Sequence, residues 1–226
     1  MHKTHPNEII NPMSLVKILL KQCSKPSGWH GRVTLRNMNR GHAELTTWGL
    51  RHVSVQSGAT ILDVGCGGGA TVARLVAMAP EGKIYGIDYS KESVAASRLE
   101  NRVRIGLGQV EILLGSVSHL PFPDQMFDLV TAVETHYFWP DLPADMREIL
   151  RVLRPGGTFL LIAEAYKGGK YDKQLSKIDN VRKTMKLAHL TIAEHRDLFS
   201  KAGYTDIQIV EDYERGWVCG VARKSA

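Results

Sequence analysis

The sequence predicts an α/β fold whose sheet is mainly parallel and ends in an antiparallel hairpin. Short apolar strand patterns alternate with helical patterns through the middle of the chain, as in parallel strands joined by helical crossovers. The last two strand patterns are separated by only a short link. A parallel return needs a crossover of about a dozen residues or more, so these two strands must be antiparallel.

Seven segments have the length and apolar character of strands. The first, ATILDVG at 59–65, leads directly into a glycine-rich turn. The other six follow in chain order as KIYGIDY at 83–89, VEILLGS at 110–116, FDLVTAVE at 127–134, GTFLLIAEA at 157–165, TDIQIVEDY at 205–213 and WVCGVARK at 217–224. We therefore expect a seven-stranded sheet.

Helical periodicity marks most of the remaining chain. The helical segments lie at 11–23, 42–53, 70–79, 91–106, 141–155 and 191–203. Thr191 and Glu194 predict a capping box at the start of the last helix, and Gly203 predicts its end. The LRPGG stretch at 153–157 is expected to be a turn between a helix and a strand.

Length, charge and cysteine content narrow the function classes. The 226 residues fit one domain of ordinary size with a small appendage, and the net charge of +6 is weak evidence for nucleic acid unless it is clustered. Cys23, Cys66 and Cys219 are far apart, which argues against a disulfide framework or a zinc site and fits a reducing cytoplasm. No apolar run approaches the roughly 20 residues of a membrane span, and the N-terminus lacks the apolar core of a signal peptide. We expect a cytoplasmic protein without a membrane span.

The glycine-rich turn after the first strand is the most informative motif. Gly65, Gly67 and Ala70 fit the dinucleotide pattern G-x-G-x-x-G/A between a strand and a helix. Asp88 lies about 20 residues further on, where an acid would hold ribose hydroxyls. A nicotinamide or flavin dinucleotide is therefore one interpretation of the turn.

Two features count against a dinucleotide. Asp63 stands two residues before the first glycine, where its carboxylate would repel a pyrophosphate bound at the helix N-terminus. The same carboxylate suits a ligand with a cationic end. The terminal hairpin is the second feature, since a doubly wound dinucleotide fold ordinarily continues with parallel strands.

Four motifs in order resemble the class I S-adenosylmethionine-dependent methyltransferases. They are ILDVGCGGG, IYGIDYS, LLGSVSHLPFPDQMFDLV and ILRVLRPGGTFLLIAEA, and they cover about residues 58–165. The resemblance is strongest to the small-molecule branch that includes quinone-biosynthesis enzymes of methyltransferase type 11. It implies a Rossmann-like three-layer sandwich with S-adenosylmethionine as cofactor and S-adenosylhomocysteine as product. It also implies an N-terminal helical lid at 1–57 and a methyltransferase domain at 58–226, with a substrate-cap insertion at 167–190.

The resemblance assigns cofactor contacts to named positions. Asp63 would receive the amino end of the cofactor, directly or through water, and Asp88 would take both ribose hydroxyls. Tyr89 could lie against the adenine. The family usually has an acid where this chain has Ser116, so Ser116 and the backbone of Val117 are weaker adenine contacts. The complete set of expected cofactor-binding residues is Asn39, His42, Asp63, Gly65, Cys66, Gly67, Asp88, Tyr89, Ser116, Val117, Glu134 and Thr135.

Methyl transfer requires alignment of the acceptor, exclusion of water and, for some acceptors, removal of a proton. His136 is the expected general base because it follows the end of a parallel strand, where such sheets place their ligands, and imidazole titrates near neutrality. Glu134 is the second candidate catalytic residue. No metal is expected. The lysine-rich insertion could favour an anionic acceptor or form a solvated helix face.

Three alternatives to a small-molecule methyltransferase stay open. The first is a nucleic-acid methyltransferase, although the chain has ETHYFWP where the amino-group enzymes have D/N/S-P-P-aromatic, and no cysteine lies between Cys66 and Cys219. The second is a module that binds the cofactor without transferring methyl. The third is the dinucleotide oxidoreductase. We expect a monomer or homodimer that acts on a small-molecule acceptor.

Overall fold

The computed structural model describes residues 12–226, without the side chains at 12, 14, 15, 29, 30, 32 and 36. Residues 1–11 of the predicted lid thus lie outside the described residues. The strands are β1 (Thr60–Val64), β2 (Lys83–Asp88), β3 (Val110–Leu114), β4 (Phe127–Val133), β5 (Leu153–Glu164), β6 (Thr205–Asp212) and β7 (Trp217–Arg223).

Ten α-helices are present in the described part of the chain. They are α1 (Pro12–Ser24), α2 (Gly28–Gly41), α3 (Ala43–Leu50), α4 (Ala70–Met78), α5 (Lys91–Glu100), α6 (Arg102–Gly106), α7 (Leu142–Val152), α8 (Asp172–Ser176), α9 (Asp179–Thr184) and α10 (Ile192–Ala202). A short 3-10 turn at His136–Phe138 follows β4. None of the helices in residues 12–226 is long and apolar enough to cross a membrane.

The seven strands form one sheet in the order β3-β2-β1-β4-β5-β7-β6. The first five strands are parallel, and β7 pairs antiparallel with both β5 and β6. The predicted mainly parallel sheet with a terminal hairpin is confirmed. Because the chain leaves β1 toward β2 and returns to β4 on the other side, the strand order reverses between β1 and β4. The crevice at the carboxyl ends of these two strands is the switch point where open α/β sheets bind ligands.

Alternation of side chains along the strands divides the core into two layers. Leu62 and Val64 of β1 join a buried cluster with residues of α7 and α10, whereas Ile61 joins a cluster with residues of α3 and α4. Successive strand residues point to opposite faces, so a buried parallel strand must be apolar on both. The sheet is therefore covered by helices on both sides, as a three-layer sandwich requires.

Several elements differ from the sequence-based prediction. The helices α2, α8 and α9 are not among the predicted helical segments, and α3 and α7 end at Leu50 and Val152 instead of at 53 and 155.

Two further differences have a visible cause. The single helix expected at 91–106 is two helices that meet at Asn101, whose side-chain amide donates to the carbonyls of Ser97 and Gly69. The LRPGG turn is the irregular start of β5, with Gly156 at a φ of +75°. The Gly156 N–H donates to the Lys224 carbonyl, so this stretch is held by pairing beyond the end of β7. The capping box of α10 is present as predicted.

Candidate active site

The glycine-rich turn joins β1 to α4 at the switch point. Gly65, Gly67 and Gly69 have φ angles of +71°, +50° and +84°, which L side chains rarely adopt. A Cβ on Gly65 would lie 2.2 Å from the Thr135 hydroxyl, whereas one on Gly67 would meet nothing closer than 3.9 Å. Gly65 therefore serves packing, and Gly67 presents its backbone to open space.

Asp88 ends β2 beside this turn. Its Oδ2 accepts the Gly67 N–H at 3.0 Å and its Oδ1 accepts the Ser90 N–H at 2.8 Å. Burial raises the pKa of this carboxyl, and the two backbone donors oppose that rise. Each carboxylate oxygen keeps a lone pair for a further donor, so Asp88 can accept two hydroxyl groups.

A cavity, here called the main cavity, opens above the turn. Eight of the predicted cofactor-binding residues line it: Gly65, Gly67, Asp88, Tyr89, Ser116, Val117, Glu134 and Thr135. Sequence reasoning missed the part of its wall that α1 and α2 supply, including Cys23, Leu35 and Met38. These positions carry no motif, because their role depends only on how the two helices lie over the sheet.

Two hydrogen bonds hold the chain between α1 and α2 against the end of β2. The Tyr89 hydroxyl donates to the Ser24 carbonyl, and the Ser90 hydroxyl donates to the Pro26 carbonyl at 3.0 Å. The Lys25 ammonium lies 5.7 Å from the centre of the Tyr89 ring. The helices α1 and α2 thereby cover the main cavity.

A smaller cavity on the other side of the turn, here called the turn cavity, contains the remaining predicted contacts except Asp63. Asn39, His42 and Cys66 line it together with Gly65, Gly67 and Glu134. A Cβ on Gly68 would lie 2.4 Å from the Asn39 side chain, so α2 packs directly on the glycine turn. Burial raises the pKa of the Cys66 thiol well above its usual range, so this thiol is not an activated nucleophile.

Asp63 lies beneath the turn and lines none of these cavities. It is 2% exposed, and its Oδ1 accepts the Thr131 hydroxyl at 2.7 Å. Burial raises the pKa of this carboxyl to about 7, and the charge of Asp88 adds to the rise. The structure therefore does not place Asp63 at a cavity wall, since its carboxylate is bonded to Thr131 of β4. The expected contact with the amino end of the cofactor, directly or through water, stays a prediction.

Glu134 follows β4 with a φ of +57°, an uncommon conformation for a non-glycine residue. Its Oε1 accepts the Glu164 N–H at 2.5 Å and the Tyr137 hydroxyl at 3.1 Å. Burial and the charge of Glu164 raise the pKa of the Glu134 carboxyl to about 8. Such a carboxyl can exchange a proton near neutral pH, as a catalytic acid or base must.

A third cavity, here called the cap cavity, lies between the N-terminal helices, the 3-10 turn and the insertion at 167–190. It measures 240 Å³ and shares Cys23, Met38, Glu134 and Phe138 with the main cavity. The other lining residues are Leu20, His42, Tyr137, Glu164, Ala165, Leu175, Ile178, Arg182, Leu187 and Ala188. All three cavities therefore meet at Glu134, the main and turn cavities at the glycine turn and the cap cavity under the insertion.

His136 does not face any of the three cavities. The 3-10 turn directs it inward, where it is 1% exposed and its ring lies 4.2 Å from that of Tyr137 and 5.5 Å from that of His195. Burial lowers its pKa well below the usual range, and the charge of His195 acts in the same direction. The structure contradicts the expectation that His136 is the general base, because the buried ring lines none of the three cavities.

Glu164 and His42 also face the cap cavity close to Glu134, beside Tyr137. The His42 Nε2 lies 4.0 Å from Glu164 Oε1, and the donor atoms of His42, Glu134 and Glu164 lie within 4.8 Å of one another. This separation could admit a cation. Glu164 was missed by sequence reasoning, although its place at the carboxyl end of β5 is the same signal that pointed to Glu134.

Comparison with known families identifies the central region of the chain. Residues 62–161 match the family model described as a methyltransferase domain. The demethylmenaquinone methyltransferase of Geobacillus stearothermophilus is 38% identical over 109 residues, which are 48% of this chain and 46% of that protein. The nocamycin O-methyltransferase of Saccharothrix syringae is 40% identical over 106 residues, 46% of this chain and 38% of that protein. The chain thus spans less than half the length of these curated relatives.

Solved structures with the same fold cover more of the chain. An S-adenosylmethionine-dependent methyltransferase from Aquifex aeolicus superposes with a TM-score of 0.68 at 21% identity, over 85% of this chain and 98% of that one. Human N-acetylserotonin methyltransferase, in complex with S-adenosylmethionine, gives 0.71 at 20% identity over 98% of this chain and 61% of that one. The [4+2]-cyclase SpnF gives 0.64 at 20% identity over 88% and 84%. The predicted fold and family resemblance are confirmed, and SpnF shows that the fold alone does not decide the reaction.

Proposed function

We propose that the chain transfers a methyl group from S-adenosylmethionine to a small molecule, on the premise that residues 62–161 match the methyltransferase domain model. The observation that carries the proposal is the pair of cavities that meet at Glu134. The main cavity has the glycine turn and Asp88, and the cap cavity is a separate chamber of 240 Å³. Methyl transfer needs this arrangement, with a cofactor and an acceptor held side by side.

The main cavity fits the chemistry of S-adenosylmethionine. Asp88 would hold the two ribose hydroxyls, and the open backbone at Gly67 would admit the ligand close to the turn. Val117 and Leu35 offer apolar surface, and Ser116 a hydroxyl, for the adenine. When bound, the cofactor supplies a methyl group that is already activated by a positively charged sulfur.

The residues at the junction of the two cavities would control the reaction. Met38 and Phe138 line both cavities and would exclude water from the transfer path. Glu134 faces both cavities and would hold or accept a proton of the acceptor. Glu134 thus takes the catalytic role that sequence reasoning gave first to His136.

The size and position of the cap cavity support a small acceptor rather than a nucleic acid. Its walls come from α1, α2, α8 and α9, and the insertion at 167–190 would act as a substrate cap. Residues 12–57 would act as a lid on both cavities. All three cysteines are free, which fits a reducing compartment, and we assign the protein to the cytoplasm on that ground.

The test is a transfer assay with S-adenosylmethionine labelled in the methyl group. The purified chain is incubated with a broad panel of hydroxyl, thiol, amine and acidic-carbon acceptors, and with single- and double-stranded oligonucleotides. We expect label in at least one small molecule and none in the oligonucleotides, with the signal lost in Asp88→Asn. Binding of the cofactor without transfer to any acceptor would contradict the proposal and identify a binding module instead.

A further inference from the structure

We propose that the acceptor in the cap cavity is a small amine with an apolar body, bound as its ammonium ion by Glu134 and Glu164. The inference rests on the proposed function, because it assigns the cap cavity to the acceptor. It is carried by the charge and the chemistry of the cavity wall, most of which lies outside the region 62–161 that matches the methyltransferase domain.

The two carboxylates converge on the cap cavity from neighbouring parallel strands. Glu164 is the last residue of β5 and Glu134 directly follows β4. Among the described residues, the Glu164 carboxylate pairs with no cationic group other than the His42 ring, whose Nε2 lies 4.0 Å from Oε1. Burial and the charge of Glu164 keep a proton on the Glu134 carboxyl near neutral pH in the free protein. A ligand cation between the two carboxyl groups favours the ionised form of both, so the pair selects a cation and Glu134 is a carboxylate once the ammonium ion is bound.

The charges around the cavity favour a cation over an anion. Arg182 is the single Lys or Arg side chain among the described residues that line it. Its guanidinium is already engaged, with Nη1 2.6 Å from His189 Nδ1 and 3.6 Å from Asp179 Oδ1. Six lysines of the insertion are exposed and lie outside the wall: Lys167, Lys170, Lys173, Lys177, Lys183 and Lys186. The anionic acceptor that the lysine-rich sequence could suggest therefore finds no free cation in the described wall.

The remaining wall suits an apolar body attached to the amine. Leu20, Leu175, Ile178 and Leu187 come from α1 and the insertion. The rings of Tyr137 and Phe138 complete the side nearest Glu134, where an aromatic face can attract an ammonium group. The cationic end and the apolar end of such a ligand would each meet a matching surface.

Glu134 also completes the chemistry, because an ammonium nitrogen has no lone pair to react. The ammonium gives one proton to the Glu134 carboxylate and becomes a neutral amine. Its freed lone pair forms the N–C bond to the methyl group as the C–S bond breaks, and the C–S electron pair stays on sulfur. The products are the N-methylated ammonium ion and S-adenosylhomocysteine, with the transferred proton on Glu134.

The experiment compares three probes with the same phenyl group: 2-phenylethylamine, 2-phenylethanol and 3-phenylpropionate. Each is titrated calorimetrically into the full chain after saturation with S-adenosylhomocysteine, whose own binding is measured first. The variants are Glu164→Gln and, as a matched control outside the cavity, Lys183→Gln. A parallel titration uses Mn²⁺ in place of the probes.

We expect the amine to bind at least about tenfold more tightly than the alcohol or the acid, and Glu164→Gln to remove that preference. Lys183→Gln should leave all three affinities unchanged. Equal or weaker binding of the amine, including no binding of any probe, overturns the inference. Tight Mn²⁺ binding that is lost in Glu164→Gln also overturns it and identifies a metal site. Failure of S-adenosylhomocysteine to bind would instead contradict the proposed function itself.

Discussion

Asp88 is the residue whose chemistry depends most directly on the cofactor. Asp88→Asn keeps the size of the side chain but places an amide NH₂ where one oxygen accepts a backbone N–H and would accept a hydroxyl. We expect the affinity for S-adenosylhomocysteine to fall at least about tenfold, measured by calorimetry. Asp197→Asn is the matched control, since Asp197 is an exposed carboxylate on α10. Unchanged affinity in Asp88→Asn would remove this residue from the site.

Asp63 makes stability depend on pH. The folded-state pKa of about 7 lies above the usual aspartate value near 3.9, so the unfolded state ionises first as the pH rises. Stability from this group is therefore present below about pH 4 and is lost through the window up to about pH 7. We expect Asp63→Asn to gain stability relative to the wild type by about 1.4 kcal/mol per pH unit between pH 5 and 7. Urea unfolding at several pH values measures this, and a pH-independent difference would contradict the burial argument.

Single residues show where sequence reasoning reaches its limit. Asp88 could be assigned to the site because it ends a predicted parallel strand, and the carboxyl ends of such strands lie at the edge of the sheet where ligands bind. His136 could not, because the 3-10 turn after β4 rotates it into the core, and nothing in the ETHYFWP sequence specifies that rotation. Asp63 could be singled out from its place before the glycines, but the hydrogen bond to Thr131, which lies opposite it on β4, could not be predicted from the sequence.

In the glycine turn, Gly65 serves packing and Gly67 serves ligand access, so the two roles can be tested separately. Gly67→Ala introduces a Cβ with no neighbour closer than 3.9 Å, so its cost to folding is the strained φ, about 1 kcal/mol. The same Cβ would stand where the ligand approaches, and we expect affinity for S-adenosylhomocysteine to fall more than about tenfold.

Gly108→Ala provides the control for that change. Gly108 also has a positive φ, of +75°, and a Cβ there would have nothing within 4 Å and no place in the three cavities. Thermal unfolding should show similar losses in the two variants, while only Gly67→Ala loses affinity in calorimetry. Equal affinity in both would mean that Gly67 does not face the ligand.

At the level of elements, most helices and all seven strands followed from periodicity and spacing. The break between α5 and α6 did not, because it depends on Asn101 reaching the Gly69 carbonyl, a tertiary contact. The start of β5 at Leu153 also could not be predicted, because it too depends on a tertiary contact. Its LRPGG residues resemble a turn, and pairing with Lys224 draws them into the sheet.

At the scale of the whole molecule, the walls of the main cavity and the cap cavity combine segments that are far apart in the sequence. α1 and α2 contribute to the main cavity and the cap cavity, whereas α10 contributes to neither. Sequence reasoning predicted an N-terminal lid and a cap, but it could not identify Cys23, Met38 or Arg182 as wall residues. Those assignments depend on how three segments meet over the sheet.

Hydrogen exchange tests this arrangement. Saturation with S-adenosylhomocysteine should slow amide exchange most in α2, because Leu35 and Met38 contact the ligand cavity and ligand binding stabilises the closed form. α10 is the internal reference, and its local protection should change less. Equal change in the two helices would indicate stabilisation of the whole chain without a specific role for α2.

Calorimetric titration of the wild-type chain with S-adenosylmethionine, S-adenosylhomocysteine and NADH tests the central claim most directly. Asp88 and the open backbone at Gly67 suit a ribose, and the match of residues 62–161 to a methyltransferase domain favours the sulfur ligands over NADH. We expect micromolar binding of both sulfur ligands and no binding of NADH. Binding of NADH without the sulfur ligands would contradict the assignment of the cofactor.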